Sequence, residues 1–387
     1  MKSCGIIAEY NPFHNGHAYH LQEAKKRTGS EVMVVSMSGN FTQRGEPAIA
    51  DKWTRAQMAL AHGADLVVEQ SVLGTVQSTD LFARAGVRTL QALGCDALSF
   101  GAESGKDTDF IRYTDFILKH QDEINEQFQA IRNDGRTYAA QMQQVVSKLL
   151  PHEAFAMSIF EPNNQLGLAY LKENDRYSRP MEPMVIERVG AKHHDDLNAS
   201  NTFASGTALR TLIQAGKAEE AARWMPEVEA GVSAVSWENY WPLLRYRVLV
   251  EDEASLRTIY QMEEGIEYRL KKMVVEAESF HHYLTLVKNK RWTWVRLQRL
   301  CVAILLSIKK EDVETYFQKE QPIRVLGFTE KGQQYLSQRK KMVQLITNLK
   351  KQHHEQLAVE IKADQVYRLG NTTNISEQNY TRSPIRQ

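Results

Sequence analysis

The stretch Glu9–His20, EYNPFHNGHAYH, decides how this chain is read. A short apolar run, Gly5-Ile6-Ile7-Ala8, precedes it, and a helical pattern over His17–Arg27 follows. A strand that turns through such a loop into a helix leaves the first helical N–H groups unpaired. It also points the positive end of the helix dipole at the loop, which makes a ready anion site. Gly16 lets the backbone approach a ligand closely. His14 and His17 are three residues apart and face one phosphate cluster. Their imidazole N–H groups suit oxygens whose charge grows during an in-line displacement at phosphorus. The His-x-Gly-His spacing differs from a Walker loop, which ends in Gly-Lys-Ser/Thr.

Outward from this junction the pattern repeats. Apolar runs at Cys4–Ala8, Val32–Met37, Leu66–Val68, Ala97–Phe100 and Pro183–Val189 predict five strands. Helical periodicity over Trp53–Ala61 and Thr79–Leu93 separates them. Strands alternating with helices predict an α/β fold with a doubly wound parallel sheet that binds ligands at the carboxyl ends of its strands. Residues 105–180 read as a helical insertion and 190–204 as a loop, after which Gly206–Ala215 is helical. From about Val228 the apolar spacing is near 3.6 residues, which predicts a mainly α-helical C-terminal domain. The division expected is residues 1–225, 226–370 and a polar, disordered tail over 371–387.

The 387 residues exceed what one compact core usually serves. Hydrophobic content of 42% and charged content of 25% are those of an ordinary globular protein, not a fibrous or disordered chain. Formal net charge is +1, unevenly spread. Residues 1–225 hold 23 Lys+Arg against 27 Asp+Glu, and the remainder holds 25 against 20. A polyanionic partner therefore belongs with the C-terminal half. Cys4, Cys95 and Cys301 are far apart, without metal-ligand or disulfide spacing, which points to a reducing cytoplasm. No signal-peptide pattern opens the chain, and the longest apolar stretch, Leu300–Ile308, is too short to span a bilayer. No membrane association and no stable protein partner is expected.

A second anion-binding element is ASGTALR, Ala204–Arg210. Ser205 suits an N-cap, the Ser205 and Thr207 hydroxyls can join backbone N–H groups around a phosphate, and Arg210 supplies a fixed positive fork. Residues 288–310, KNKRWTWVRLQRLCVAILLSIKK, hold seven Lys/Arg and no acid. Lys288, Lys290, Arg291, Arg296 and Arg299 read as a basic edge on a packed helix, suited to nucleic-acid phosphates, with Trp292 and Trp294 available to stack or pack.

The opening motif resembles the HxGH signature of the nucleotidyltransferase superfamily, and ASGTALR resembles its Ser-x-Thr-x-x-Arg segment. Taken with VSMSGNFTQRGEPAIADKWTRAQMAL (Val35–Leu60), VQSTDLFARAGVRTLQALGCDALSFGAE (Val76–Glu103), PNNQLGLAYL (Pro162–Leu171) and IRVLGFTEKGQQYL (Ile323–Leu336), the chain resembles the bacterial tRNA(Met) cytidine acetate ligase family over nearly its whole length. EQSVLGTVQS (Glu69–Ser78) and the Ser205–Thr207 segment read as variants of that family's wording. The resemblance implies a Rossmann-like, HUP-type nucleotidyltransferase domain. It also implies the use of ATP and acetate to make acetyl-adenylate, and transfer of the acetyl group to N4 of the wobble cytidine of elongator tRNA(Met).

ATP contacts carried over by resemblance are Ile7, Ala8, Glu9, Tyr10, Asn11, Pro12, Phe13, His14, Asn15, Gly16, His17, Ala18, Tyr19 and His20, with Gly101, Asn164 and Arg188. His14 and His17 are the catalytic pair. Mg²⁺ is expected with the triphosphate, held mostly by ATP and water because no carboxylate cage is visible. The loop Ser38–Ala48 offers Asn40, Gln43 and Arg44 to acetate, acetyl-adenylate or cytidine. No general base for the cytidine amine is named, although His193, His194 and Asp195 lie in the 190–204 loop. Two other readings are a small-molecule adenylyltransferase of the same superfamily, which the long basic helical half disfavours, and a non-catalytic RNA-binding protein, which the intact phosphate motifs disfavour.

Overall fold

The computed structural model describes residues 1–131, 136, 138–150, 160–188, 203–226, 235–263, 265–370 and 375–387. His193, His194, Asp195 and the 190–202 part of their loop lie outside the described residues.

The strands are β1 (Ser3–Ala8), β2 (Val32–Ser38), β3 (Leu66–Gln70), β4 (Ala97–Ala102), β5 (Glu182–Glu187), β6 (Ile323–Phe328), β7 (Leu345–Ile346) and β8 (Ile385–Arg386). They form one sheet in the order β5-β4-β1-β2-β3-β6-β7, with β8 paired to β6. β1 to β5 run parallel, as alternation of strand and helix requires. The order reverses between β1 and β4, so the loops after those two strands flank a crevice at the carboxyl edge. The pleat sorts β2 onto both faces. Val32 and Val34 pack with Leu66, Phe82 and Leu90, while Met33, Val35 and Met37 pack with Leu21, Ala24 and Trp53. Both faces are therefore covered by helices, which is why these strands are apolar runs and not alternating ones.

The helices Asp107–Lys119, Gln121–Ile131, Tyr138–Leu149 and Pro162–Asn174 lie between β4 and β5, where the insertion was expected. From Trp237 to Gln318 the chain is helical among the described residues and builds a further core. Trp237 stacks on Phe280 at 4.4 Å, and Leu297, Leu300 and Ile304 pack with Tyr240 and Tyr283. That core also takes in Phe41, Val72 and Leu73 from the first half.

Two expectations need correction. The region 226–370 is mainly helical but not a domain apart, because β6 returns to the sheet of the first half and pairs antiparallel with β3. Its six residues are all buried, with Val325 in one sheet-face core and Leu326 in the other. An open β3 edge is thereby closed. The polar tail is ordered where it is described. Gln378 and Asn379 are 0% and 1% exposed. Trp53 Nε1 donates to Gln378 O at 3.0 Å, and Arg324 donates to Asn379 Oδ1 at 2.7 Å and to Gln378 O at 2.8 Å. β8 then pairs with Gly327 and Phe328. Polar composition suggested disorder, but these amides complete the hydrogen bonding of a buried guanidinium.

That buried charge is a network. Lys52 Nζ, fully buried, lies 2.7 Å from Glu69 Oε1 and 2.6 Å from Asp364 Oδ2, with Arg324 3.6 Å and 3.5 Å from the same acids. It joins β3, β6 and the helix Ala358–Leu369. No described helix is long and apolar enough to cross a membrane.

Candidate functional site

The opening motif sits at the crevice. His14 is the N-cap of the helix Asn15–Thr28, and its Nδ1 accepts from Gly16 N at 3.1 Å. His17 Nδ1 accepts from His14 N at 3.2 Å. The two rings consequently stack, with centroids 3.6 Å apart and planes 20° from parallel. A backbone N–H only donates, so both Nδ1 atoms are acceptors and the proton of each neutral ring is on Nε2. Burial, then the charges of Arg188 and Arg210, hold His14 at about 3. Burial and the neighbouring His14 hold His17 well below the usual histidine range. Burial and Arg188 bring His20 to about 4, and His20 Nε2 lies 2.9 Å from Ser99 Oγ on β4. The pair is thus a neutral double donor, aimed and locked by the helix start that it caps.

Opposite stands the helix Gly206–Gln214, capped by Ser205 Oγ, which accepts from Ala208 N at 3.2 Å. A Cβ at Gly206 would lie 4.0 Å from His14 Nε2 and 3.5 Å from Asn11 O, so the two helix starts face each other across a narrow gap. Arg210 bridges them, donating to Asn11 O at 2.8 Å and to Thr207 Oγ1 at 3.2 Å. Glu46 lies 3.7 Å from the same guanidinium. Thr207 is exposed at the mouth.

The rest of the expected segment divides by role. Tyr10, Asn11, Pro12 and Phe13 are buried. Tyr10 and Phe13 meet edge-to-face at 4.8 Å, and Asn11 Oδ1 accepts from Ile49 N at 2.8 Å. Tyr10 has φ 51, a left-handed conformation that costs a non-glycine residue about 1–3 kcal/mol and that neighbours must hold in place. Ile7 packs under Gly86, so this position offers its backbone and not its side chain to the crevice. Ala8, Glu9, Asn15, Gly16, Ala18 and Tyr19 are half-buried.

Gly101 and Arg188 meet at the β4–β5 end, where a Cβ on Gly101 would lie 3.6 Å from Arg188 Cγ. Arg188 is exposed and its charge reaches all three histidines. Asn164 differs. It is 0% exposed, its Oδ1 accepts from Glu103 N at 3.0 Å, and its Nδ2 donates to Ser104 Oγ at 3.2 Å. Glu103 in turn accepts from the N–H groups of Asn163 and Asn164 at 3.1 and 3.0 Å. Asn164 therefore holds the loop after β4.

The loop Ser38–Ala48 is pinned to the motif by a residue that sequence reading missed. Arg55, fully buried, donates to Glu9 O at 2.6 Å, Ser38 O at 3.0 Å, Gly39 O at 2.5 Å and Ala50 O at 2.9 Å. The signal was present: Lys52 and Arg55 are the only charges on the helix Lys52–Ala61. Asn40 is 3% exposed, accepting from Lys52 N and donating to Asp364, each at 2.8 Å, and so is structural. Gln43 N donates to Glu9 Oε1 at 2.6 Å.

On the basic edge, Lys288, Lys290 and Arg291 are exposed. Arg296 lies 3.8 Å over the Trp292 ring and 3.2 Å from Glu263. Arg299 turns inward, donating to Gln77 O at 2.6 Å, and burial pushes its guanidinium down to about 10. Its place is the junction with the first half, not an open edge. Trp292 is 2% exposed and packs, while Trp294 is half-buried. Among the described residues no cluster of three His, Cys, Asp or Glu side chains is arranged to hold a metal ion.

The sequence matches the family model described as HIGH Nucleotidyl Transferase over residues 1–383. The chain is 38% identical to a tRNA(Met) cytidine acetate ligase of Bacillus licheniformis and 37% identical to that of Bacillus subtilis. Each alignment covers 100% of this chain and 97% of the relative. The crystal structure of Thermotoga maritima TmcAL bound with alpha-thio ATP superposes with a TM-score of 0.89 at 28% identity, covering 100% of both chains. The apo form of TmcAL superposes at 0.90 with 30% identity, covering 100% of this chain and 99% of that one. The stacked donor pair at the first helix start, the facing second helix start and full-length similarity agree: the chain belongs to the HIGH nucleotidyl transferase family and, within it, to the tRNA(Met) cytidine acetate ligases.

Proposed function

We propose that this protein is an ATP-dependent tRNA(Met) cytidine acetate ligase. The observation that carries the chemistry is the neutral, stacked His14–His17 pair at the first helix start, with His14 Nε2 beside the facing helix start that carries Arg210. In the first step an acetate oxygen attacks the α-phosphorus of ATP and pyrophosphate leaves in line. His14, His17 and Arg210 stabilise charge on the phosphate oxygens. Neutral imidazoles suit this role, because they donate hydrogen bonds without first having to bind a proton from solvent. Ser205 and Thr207 order the second helix start whose N–H groups face the triphosphate. The loops after β1 and β4, with Gly101 and Arg188, hold the nucleoside side, and Asn164 acts by fixing the Glu103–Ser104 turn.

In the second step the wobble cytidine N4 attacks the acetyl carbonyl carbon. The acyl C–O bond breaks, AMP leaves with that electron pair, and N4 loses a proton. Lys288, Lys290 and Arg291 hold tRNA phosphates, and the setting is the cytoplasm. Mg²⁺ bound with ATP would neutralise charge on the triphosphate. Among the described residues the donor set suits an ion carried by ATP and water and offers no carboxylate cage.

The test is incubation with ATP, Mg²⁺ and labelled acetate, with and without elongator tRNA(Met), beside a His17→Ala variant. The expected result is ATP-dependent label in RNA as N4-acetylcytidine, lost in the variant. Absence of label with folded protein and intact tRNA refutes the ligase reading, and RNA-independent AMP transfer to a small acceptor assigns an adenylyltransferase instead.

A further inference from the structure

We propose that Arg44 is a positioning residue for the RNA, gripping a backbone phosphate beside the acceptor cytidine and so registering the tRNA against the nucleotide site. The inference rests on the ligase reading and deepens it. Arg44 is the only exposed residue of the loop 38–48, and among the described residues it takes part in no hydrogen bond or ion pair. Everything around it is fixed. Thr42 N donates to Glu46 O and Gly45 N to Thr42 O, each at 2.9 Å, closing a tight turn beneath the Phe41–Pro47 bridge.

The turn is anchored to both functional regions. On the nucleotide side, Gln43 N donates to Glu9 Oε1 at 2.6 Å and Glu46 pairs with Arg210 at 3.7 Å. On the helical side, Trp237 Nε1 donates to Gly45 O at 2.7 Å, while Gln43 Nε2 and Arg299 Nη1 both donate to Gln77 O, at 2.8 and 2.6 Å. The charge of Arg44 accordingly acts on Glu9 in one direction and on Arg299 in the other. A guanidinium left in water on an immobilised loop between a nucleotide site and a basic helix is arranged for a phosphodiester. Its fork matches phosphate oxygens, and the backbone beneath it has no ordering cost left to meet. Free acetate is a poorer match, because an exposed cation in water binds a single small carboxylate weakly.

The experiment measures tRNA binding by fluorescence anisotropy and steady-state acetylation for wild type, Arg44→Ala and Arg44→Lys, between 50 and 200 mM salt. Arg44→Ala is expected to raise Kd and KM for elongator tRNA(Met) about ten-fold and to lower the salt slope by roughly 0.7–0.9, one phosphate contact. Its kcat at saturating tRNA is expected to change less than three-fold. Arg44→Lys recovers most of the slope but less of the affinity. Unaltered tRNA Kd and slope in Arg44→Ala overturn the inference, as does an effect confined to KM for ATP or acetate. If wild type binds tRNA through Arg44 but transfers no acetyl group, the ligase reading falls and with it the placement beside an acceptor cytidine, while the phosphate contact of Arg44 stands. Label transfer by both proteins with equal tRNA binding removes the inference alone, and wild type that does not bind tRNA removes both.

Discussion

Gly45→Ala perturbs the junction that the loop Ser38–Ala48 makes with the helix Trp294–Leu305. Gly45 has φ 76, and a Cβ there would lie 2.5 Å from Arg299 N, 2.6 Å from Gln298 C and 2.8 Å from Arg299 Cα. All three are backbone atoms of a packed helix, so no side-chain rotation relieves the contact. The left-handed backbone costs alanine about 1 kcal/mol, and overpacking against a fixed neighbour adds about 1–3 kcal/mol. Gly29→Ala separates these contributions, because Gly29 has φ 62 and nothing within 4 Å of its would-be Cβ. Urea denaturation followed by tryptophan emission should place Gly29→Ala about 1 kcal/mol below wild type and Gly45→Ala about 2–4 kcal/mol below. Acetyl transfer, assayed cold where the variants are folded, should fall only in Gly45→Ala, because the same turn carries the Gln43–Glu9 hydrogen bond. Equal destabilisation of the two variants would refute the claim that close backbone contact clamps this junction.

Other outcomes are expected. His14→Asn keeps an N-cap acceptor but loses the Nε2–H donor, so label transfer should drop by about 10²-fold, the scale of one lost transition-state donor. The same variant should change the acid response. With the folded His14 at about 3 against 6.5 unfolded, only the unfolded chain takes the proton as pH falls below 6.5. The stabilisation present above 6.5 is then lost at about 1.4 kcal/mol per pH unit, and His14→Asn should flatten that slope in denaturation at pH 5–7. Glu360 has the opposite sign. Burial raises it to about 7 from 4.5, so its contribution is complete below 4.5 and is lost as pH rises through 7. Glu360→Gln should remove a loss on the order of 3 kcal/mol between pH 5 and 8. Arg210→Ala should raise KM for ATP ten-fold or more in pyrophosphate exchange. Truncation after residue 374 should lower the melting temperature by more than 5 °C, because it uncovers Arg324 and Trp53.

Much of the architecture was legible because the physics is local. Buried parallel strands must be apolar runs, so β1 to β5 stood out at Ile6–Ile7, Val32–Val35 and Leu66–Val68 without any tertiary information. The N-cap character of Ser205 and the helix after His14 were equally local. β6 was hidden inside a helical stretch because IRVLGF declares a strand only if an edge is available to receive it. The tail was hidden because its polarity is informative only once Arg324 and Lys52 are known to be buried beside it.

The sequence by itself determined the doubly wound sheet, the two helix starts carrying His14, His17 and Arg210, and the excess positive charge of the second half. Each of these rests on periodicity, capping or charge within one segment. Only the tertiary structure decided that Asn164 and Asn40 are used up in holding loops, that Arg299 faces inward, that Arg55 ties the loop after β2 to the opening motif and that Arg44 is exposed without a hydrogen-bond or ion-pair partner among the described residues. Those outcomes depend on which groups from distant segments compete for the same hydrogen-bonding atoms, and nothing within one segment encodes who will be next to it.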